Sequence, residues 1–117
     1  GPDEPGHDGD FEGKVEAIET IDEYFISPLL DSVYLRDLAF LVTSDHATPW
    51  RLKAHSSDPI PFMISSESIP SDGLKKFSER DCAEGSLGTV KHGWQLLPLA
   101  LQILNLKRGA SWKTLEY

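Results

Sequence analysis

Five side chains in three short stretches are of the kinds that hold divalent cations: Asp3 and His7 in D-E-P-G-H, Asp45 and His46 in S-D-H-A-T-P, and His55 in L-K-A-H-S-S-D-P. Carboxylate oxygen with imidazole nitrogen is a donor mix that Mn²⁺, Zn²⁺ or Mg²⁺ accepts. Five donors are too many for one tetrahedral ion and too few to fill two sites. Each stretch alone is weak. Asp45-His46 reads as well as a capped loop with a surface histidine, Asp3 as an acid ahead of a helix, and a lone loop histidine such as His55 as merely solvated. In order, and in loops beside predicted strand ends, the three make a stronger signal.

Asp45-His46 directly follows the apolar run Leu38–Thr43. In open α/β sheets ligands bind outside the carboxyl ends of strands. Neighbours on a strand point to opposite faces, so both can turn to one ion only where the chain leaves the strand; Thr48-Pro49 supplies that departure. Asp3 and His7 have helical spacing, but Pro5 and Gly6 between them argue against a helix, so a shaped loop is expected. Asp58, three residues after His55, is placed to accept the second N–H of that imidazole and fix its tautomer. His92, beside Lys91 and without an acidic neighbour, is left out of the site. Ser44, Ser56 and Ser57 lack the strand–turn–helix setting of an activated nucleophile. Gly85-Ser86-Leu87-Gly88 lacks the Lys-Ser/Thr end of a phosphate-binding loop and reads as a turn.

The elements that position these residues follow from periodicity. Residues 1–10 are rich in Gly, Pro and Asp and read as loop. Val15, Ile18, Phe25 and Leu29 recur at helical spacing, with Glu16, Glu19 and Glu23 opposite, which predicts a helix over 12–35 capped by Asp10 and kinked or restarted at Pro28. The run Leu38–Thr43 suits a strand buried on both faces of a parallel sheet. A loop over 44–57 leads to a short edge strand over 59–64, a surface loop over 65–76, and a short helix from Ser78 to Glu84 stopped by Gly85. Trp94, Leu97, Leu101 and Leu104 mark one face of a last helix, and 107–117 reads as a frayed tail.

Bulk properties set limits. The 117 residues, 39% apolar and 26% charged, fit one ordinary domain with a core. Residues 1–40 hold eleven acids against two bases, so the net charge of −8 sits almost wholly in the first third, largely as the solvated face of one helix. That argues against nucleic-acid binding, which needs a basic face. No apolar run approaches the length of a membrane span, and no signal peptide is visible. Cys82 is alone, so an internal disulfide and a thiolate zinc site are excluded; it reads as a buried small residue in a reducing cytoplasm. Gly1 stands immediately before a ligand-like motif, which suggests a piece of a longer chain.

The motifs G-P-D-E-P-G-H-D-G-D-F-E-G-K-V-E-A-I-E-x-I-D, L-V-T-S-D-H-x-T-P-x-x-L-K-x-H-S-S-D-P-x-P-F, F-S-E-R-D-C-A-E-G-S-L-G and H-G-W-Q-L-L-P together resemble the C-terminal part of archaeal-type cofactor-independent phosphoglycerate mutases, of the alkaline phosphatase superfamily. The resemblance covers about residues 1–104. It implies a partial alkaline-phosphatase-like three-layer α/β fold, with a few largely parallel strands covered by helices. It implies two divalent ions, Mn²⁺ foremost with Zn²⁺ or Mg²⁺ as alternatives: Asp3, His7 and His55 on one, Asp45 and His46 on the other. The nucleophilic Ser or Thr would come from an N-terminal segment, so none of these residues is a catalytic candidate and the segment alone is expected to be inactive. The implied substrate is phosphoglycerate in glycolysis, with no nucleic-acid or membrane partner, and cut sheet edges are expected to cause self-association. The competing readings are another phosphatase or phosphotransferase of that superfamily, and a non-catalytic interaction module.

Overall fold

A helix stands where the Gly, Pro and Asp content of residues 1–10 predicts a loop. The structure, a computed structural model, describes residues 1–34, 38–67 and 69–107, the last three of these by backbone alone. Helix α1 spans Asp3–Asp8. Pro5 falls in its first turn, where the missing N–H would have had no intrahelical partner and the fixed φ suits a helix. Gly9 ends it at φ 74°, the left-handed conformation that glycine adopts at little steric cost. The expected shaped loop is thus corrected to a helix, and the four-residue spacing of Asp3 and His7 is real helical spacing.

Helix α2 spans Phe11–Ile21, and the side chain of Asp10 accepts the Gly13 N–H at 2.9 Å, as an N-cap does. A π-helical turn over Asp22–Ile26 leads into α3, Ser27–Ser32. Pro28 explains the turn: it cannot donate to the carbonyl one turn back, and a local π-turn accommodates such a break. The predicted helix over 12–35 is therefore an α–π–α run ending at Ser32; residue 35 lies outside the described residues.

Two strands follow, β1 over Phe40–Thr43 and β2 over Phe62–Ser65. They pair antiparallel, Phe40 opposite Ser65 and Thr43 opposite Phe62, and Thr43 Oγ1 donates to the Pro61 carbonyl at 3.0 Å. The α/β class stands, but the pairing among the described strands is not parallel, and β1 is half-exposed rather than buried on both faces. A parallel neighbour needs a crossover, usually a helix. Residues 44–61 contain none, so the chain returns alongside itself.

Helix α4 spans Glu79–Ala83, capped by the Ser78 side chain, which accepts the Asp81 N–H. Helix α5 spans Leu96–Lys107 after a 3₁₀ turn over Gly93–Gln95, in which His92 N donates to Gln95 Oε1 at 2.9 Å. Pro98 lies in the first turn of α5 and is tolerated there. The buried stripe of α5 is Leu96, Ala100 and Ile103. Of the face picked out by spacing, Trp94, Leu97 and Leu101 are exposed and Leu104 is half-buried; a helix apolar nearly all round does not declare which side is packed. Cys82 is half-buried, not buried. Asp72 accepts the backbone N–H groups of Ser86 and Leu74, which hold its carboxyl below the ordinary carboxylate range. The expected frayed tail lies, from residue 108, outside the described residues.

The chain forms two compact units. One comprises 1–34 with 44–60, the other 35–43 with 61–117. In the first, the Phe11 and Trp50 rings meet with centroids 5.5 Å apart. All five candidate ligands lie in that unit. No helix among the described residues is long and apolar enough to cross a membrane.

Candidate metal centre

The site is built from α1 and the segment 44–58. On α1, Asp3 and His7 are one turn apart and share a face. Gly6, on the buried side of α1, meets the turn at Thr48; a Cβ there would sit 2.7 Å from the Thr48 carbonyl oxygen. Only a glycine lets the two backbones approach this closely. The segment is folded back on itself by a bridge between Ala47 and Ser56, with Ser56 N–H donating to the Ala47 carbonyl at 3.0 Å. The bridge brings His46 and His55 together, their rings stacked at 3.7 Å.

Asp3 Oδ1 is the hub. His7 Nε2 and His55 Nε2 each lie 3.6 Å from it, and His46 Nδ1 lies 3.9 Å away. Thr48 Oγ1 donates to the same oxygen at 2.6 Å. That hydroxyl is the largest influence holding the Asp3 carboxyl below its ordinary value of 3.8; partial burial, next in size, works the other way, and His7, His46 and His55 add to the lowering. Asp45 stands apart, its side chain 86% exposed, with Oδ2 3.3 Å from His46 Nε2 and Oδ1 accepting the His46 N–H at 3.0 Å.

The donors suit a cation. His7 Nδ1 faces the Lys53 carbonyl at 3.2 Å, and a carbonyl only accepts, so Nδ1 carries the proton. Lys53 aims that carbonyl from a left-handed backbone, φ 54°, uncommon for a residue with a side chain. In the neutral ring His7 Nε2 therefore presents a lone pair to an ionised oxygen at 3.6 Å, too long for a hydrogen bond. Two ligands about 2.1 Å from one tetrahedral ion are about 3.4 Å apart, close to the separations observed around Asp3. Asp3, His46 and His55 offer ligand atoms all within 4.8 Å of one another.

All five residues singled out from the sequence thus meet in one unit, although the geometry draws His46 toward Asp3 as well as toward Asp45. Asp58 does not hold His55; its carboxylate accepts from Ser56 Oγ at 2.7 Å instead. The short Ser56–Asp58 spacing closes a local turn before either residue can reach back to the imidazole. Thr48, Lys14 and Lys53 were missed as site residues. Thr48-Pro49 marks the departure from the strand, and Lys14 Nζ donates to the Thr48 carbonyl at 2.7 Å.

A family model described as the metalloenzyme superfamily matches residues 1–97. The 2,3-bisphosphoglycerate-independent phosphoglycerate mutase of Aeropyrum pernix is 55% identical over 106 residues, 89% of this chain and 25% of that protein. The 2,3-bisphosphoglycerate-independent phosphoglycerate mutase 1 of Archaeoglobus fulgidus is 42% identical over 106 residues, 91% of this chain and 25% of that protein. Among solved structures, the PH0037 protein from Pyrococcus horikoshii matches with a TM-score of 0.85 at 33% identity, covering 97% of this chain and 29% of that one. These relatives bear out the resemblance carried by the motifs. The chain spans about a quarter of the length of the curated relatives it matches.

Proposed function

We propose, for a chain that belongs to the metalloenzyme superfamily, that it is the metal-holding C-terminal segment of a phosphoglycerate mutase domain. Divalent-metal binding goes with that membership. In our reading Asp3, His7 and His55 hold one ion and Asp45 with His46 contributes to a second, with Mn²⁺ the expected metal. The observation that carries this is the Asp3 Oδ1 hub, ringed by three imidazoles at 3.6 to 3.9 Å.

Two bound cations would polarise a phosphoryl group and favour the alkoxide form of a nearby hydroxyl. The part played by this chain is to hold its donors in place: α1 fixes Asp3 and His7, the 47–56 bridge fixes His46 and His55, and Lys53 fixes the His7 tautomer. The nucleophilic Ser or Thr belongs to sequence outside these residues. It would take the phosphoryl group from O3 of the glycerate and return it to O2, interconverting 3-phosphoglycerate and 2-phosphoglycerate. We place the enzyme in the reducing cytoplasm on the strength of the lone Cys82. We expect these residues alone to give no turnover, and to self-associate through apolar residues exposed on α2 such as Phe11 and Ile18.

The test is ³¹P NMR of 3-phosphoglycerate with Mn²⁺ and the longer polypeptide that carries this segment. Conversion to 2-phosphoglycerate, lost in His7→Ala and in His55→Ala, is the expected result. Release of inorganic phosphate instead would assign a phosphatase, and full turnover in both variants would remove the metal reading.

A further inference from the structure

Thr48 is the one buried polar side chain among the described residues, at 4% exposure. Its hydroxyl has a single proton, which goes to Asp3 Oδ1 at 2.6 Å. The second contact of that hydroxyl is with His46 Nδ1 at 3.1 Å. With its proton already committed, the oxygen accepts there, so Nδ1 of His46 carries the hydrogen. His46 then presents the lone pair of Nε2. That atom lies 3.3 Å from Asp45 Oδ2, another acceptor, and two acceptors face each other at this distance favourably only with a cation between them.

The backbone of Thr48 is held as firmly as its side chain. Lys14 Nζ donates to its carbonyl at 2.7 Å, and Gly6 leaves the space that a Cβ would otherwise take. The hydroxyl is therefore a fixed point between Asp3 on α1 and His46 on the following segment.

We propose that Thr48 is a positioning residue that divides the candidate ligands into two sets. It keeps Asp3 Oδ1 beside His7 and His55, and it selects the Nδ1–H tautomer of His46, so that Nε2 of His46 joins Asp45 at a second cation. Without it the geometry allows another grouping, in which His46 joins Asp3 and His55 on a single ion. This deepens the metal reading above and rests on it. A partner that fixes the tautomer of a ligating imidazole is commonly worth about ten- to a hundredfold in metal affinity.

The test uses the purified chain with Thr48→Val and Thr48→Ser. In the metal-free wild type, at a pH where imidazole is neutral, ¹⁵N NMR should show Nδ1 of His46 protonated and Nε2 bare; Thr48→Val should give a mixture of tautomers. Calorimetry with Mn²⁺ should show binding about ten- to a hundredfold weaker in Thr48→Val, restored in Thr48→Ser because serine keeps the hydroxyl. Equal Mn²⁺ affinity in Thr48→Val and wild type, or an Nε2–H tautomer at His46 in the wild type, overturns the proposal. A wild-type chain that binds no Mn²⁺ overturns the metal reading instead, while the nitrogen shifts still decide whether Thr48 holds His46. If Thr48→Val loses its helical circular dichroism, Thr48→Ala replaces it, and the wild-type nitrogen shifts need no variant.

Discussion

Replacing Gly6 with alanine tests how closely α1 must approach the Thr48 turn. The added Cβ would lie 2.7 Å from the Thr48 carbonyl oxygen, 3.0 Å from Thr48 Cγ2 and 3.1 Å from Lys14 Nζ. The first of these is a backbone atom, tied by Lys14, and cannot swing aside as a side chain could. Two effects oppose each other. Alanine in place of a helical glycine gains about 0.5–1 kcal/mol from the lower entropy of the unfolded chain. Overpacking against a fixed neighbour costs about 1–3 kcal/mol. The steric effect wins, and Gly6→Ala should be destabilised by about 1–2 kcal/mol. Gly93→Ala is the control, because nothing lies within 4 Å of its Cβ position; its stability should stay within about 0.5 kcal/mol of wild type. Urea unfolding followed by circular dichroism reads both, as a lowered midpoint at constant slope for Gly6→Ala. A Gly6→Ala chain as stable as Gly93→Ala would refute the close packing of α1 on the turn.

Three further outcomes follow from the same contacts. The Asp3 carboxyl should titrate below 3.8 in the metal-free chain, chiefly because of the Thr48 hydroxyl. Its contribution to stability is complete above 3.8 and fades as pH falls through the lower folded value; ¹³C NMR titration should show the value rising in Thr48→Val. Asp10→Ala removes the cap on α2 and should cost about 0.5–2 kcal/mol, read as a lower thermal midpoint. Mn²⁺ at about a hundred times its dissociation constant should stabilise the chain by about 2.7 kcal/mol, and EDTA should reverse the rise in melting temperature.

What could be read from the residues divides along a physical line. Donor chemistry is written in residue type, so Asp3, His7, Asp45, His46 and His55 stand out without coordinates. Periodicity and capping are local too, and the Asp10 cap and the run from α2 into α3 follow from them. The Asp3–His7 helix was illegible because the cost of Pro5 depends on where the helix begins, and it begins at Asp3. Strand direction was illegible because an apolar run such as Phe40–Thr43 carries no record of its partner. On α5 two apolar stripes compete, and only packing chooses Leu96, Ala100 and Ile103. The supports of the site were hidden for another reason. Thr48, Lys14 and Lys53 are ordinary residue types, and they act through contacts 34 to 46 residues apart.

The claim on which the rest stands is that Asp3 and its surrounding imidazoles bind a divalent cation. Titrating the purified chain with Mn²⁺, with electron paramagnetic resonance reporting the free ion, addresses it directly. The wild type should take up Mn²⁺, and His55→Ala, which removes a donor 3.6 Å from Asp3 Oδ1, should bind it far more weakly. An Mn²⁺ signal undiminished by the wild-type chain, or uptake unchanged in His55→Ala, would contradict the account.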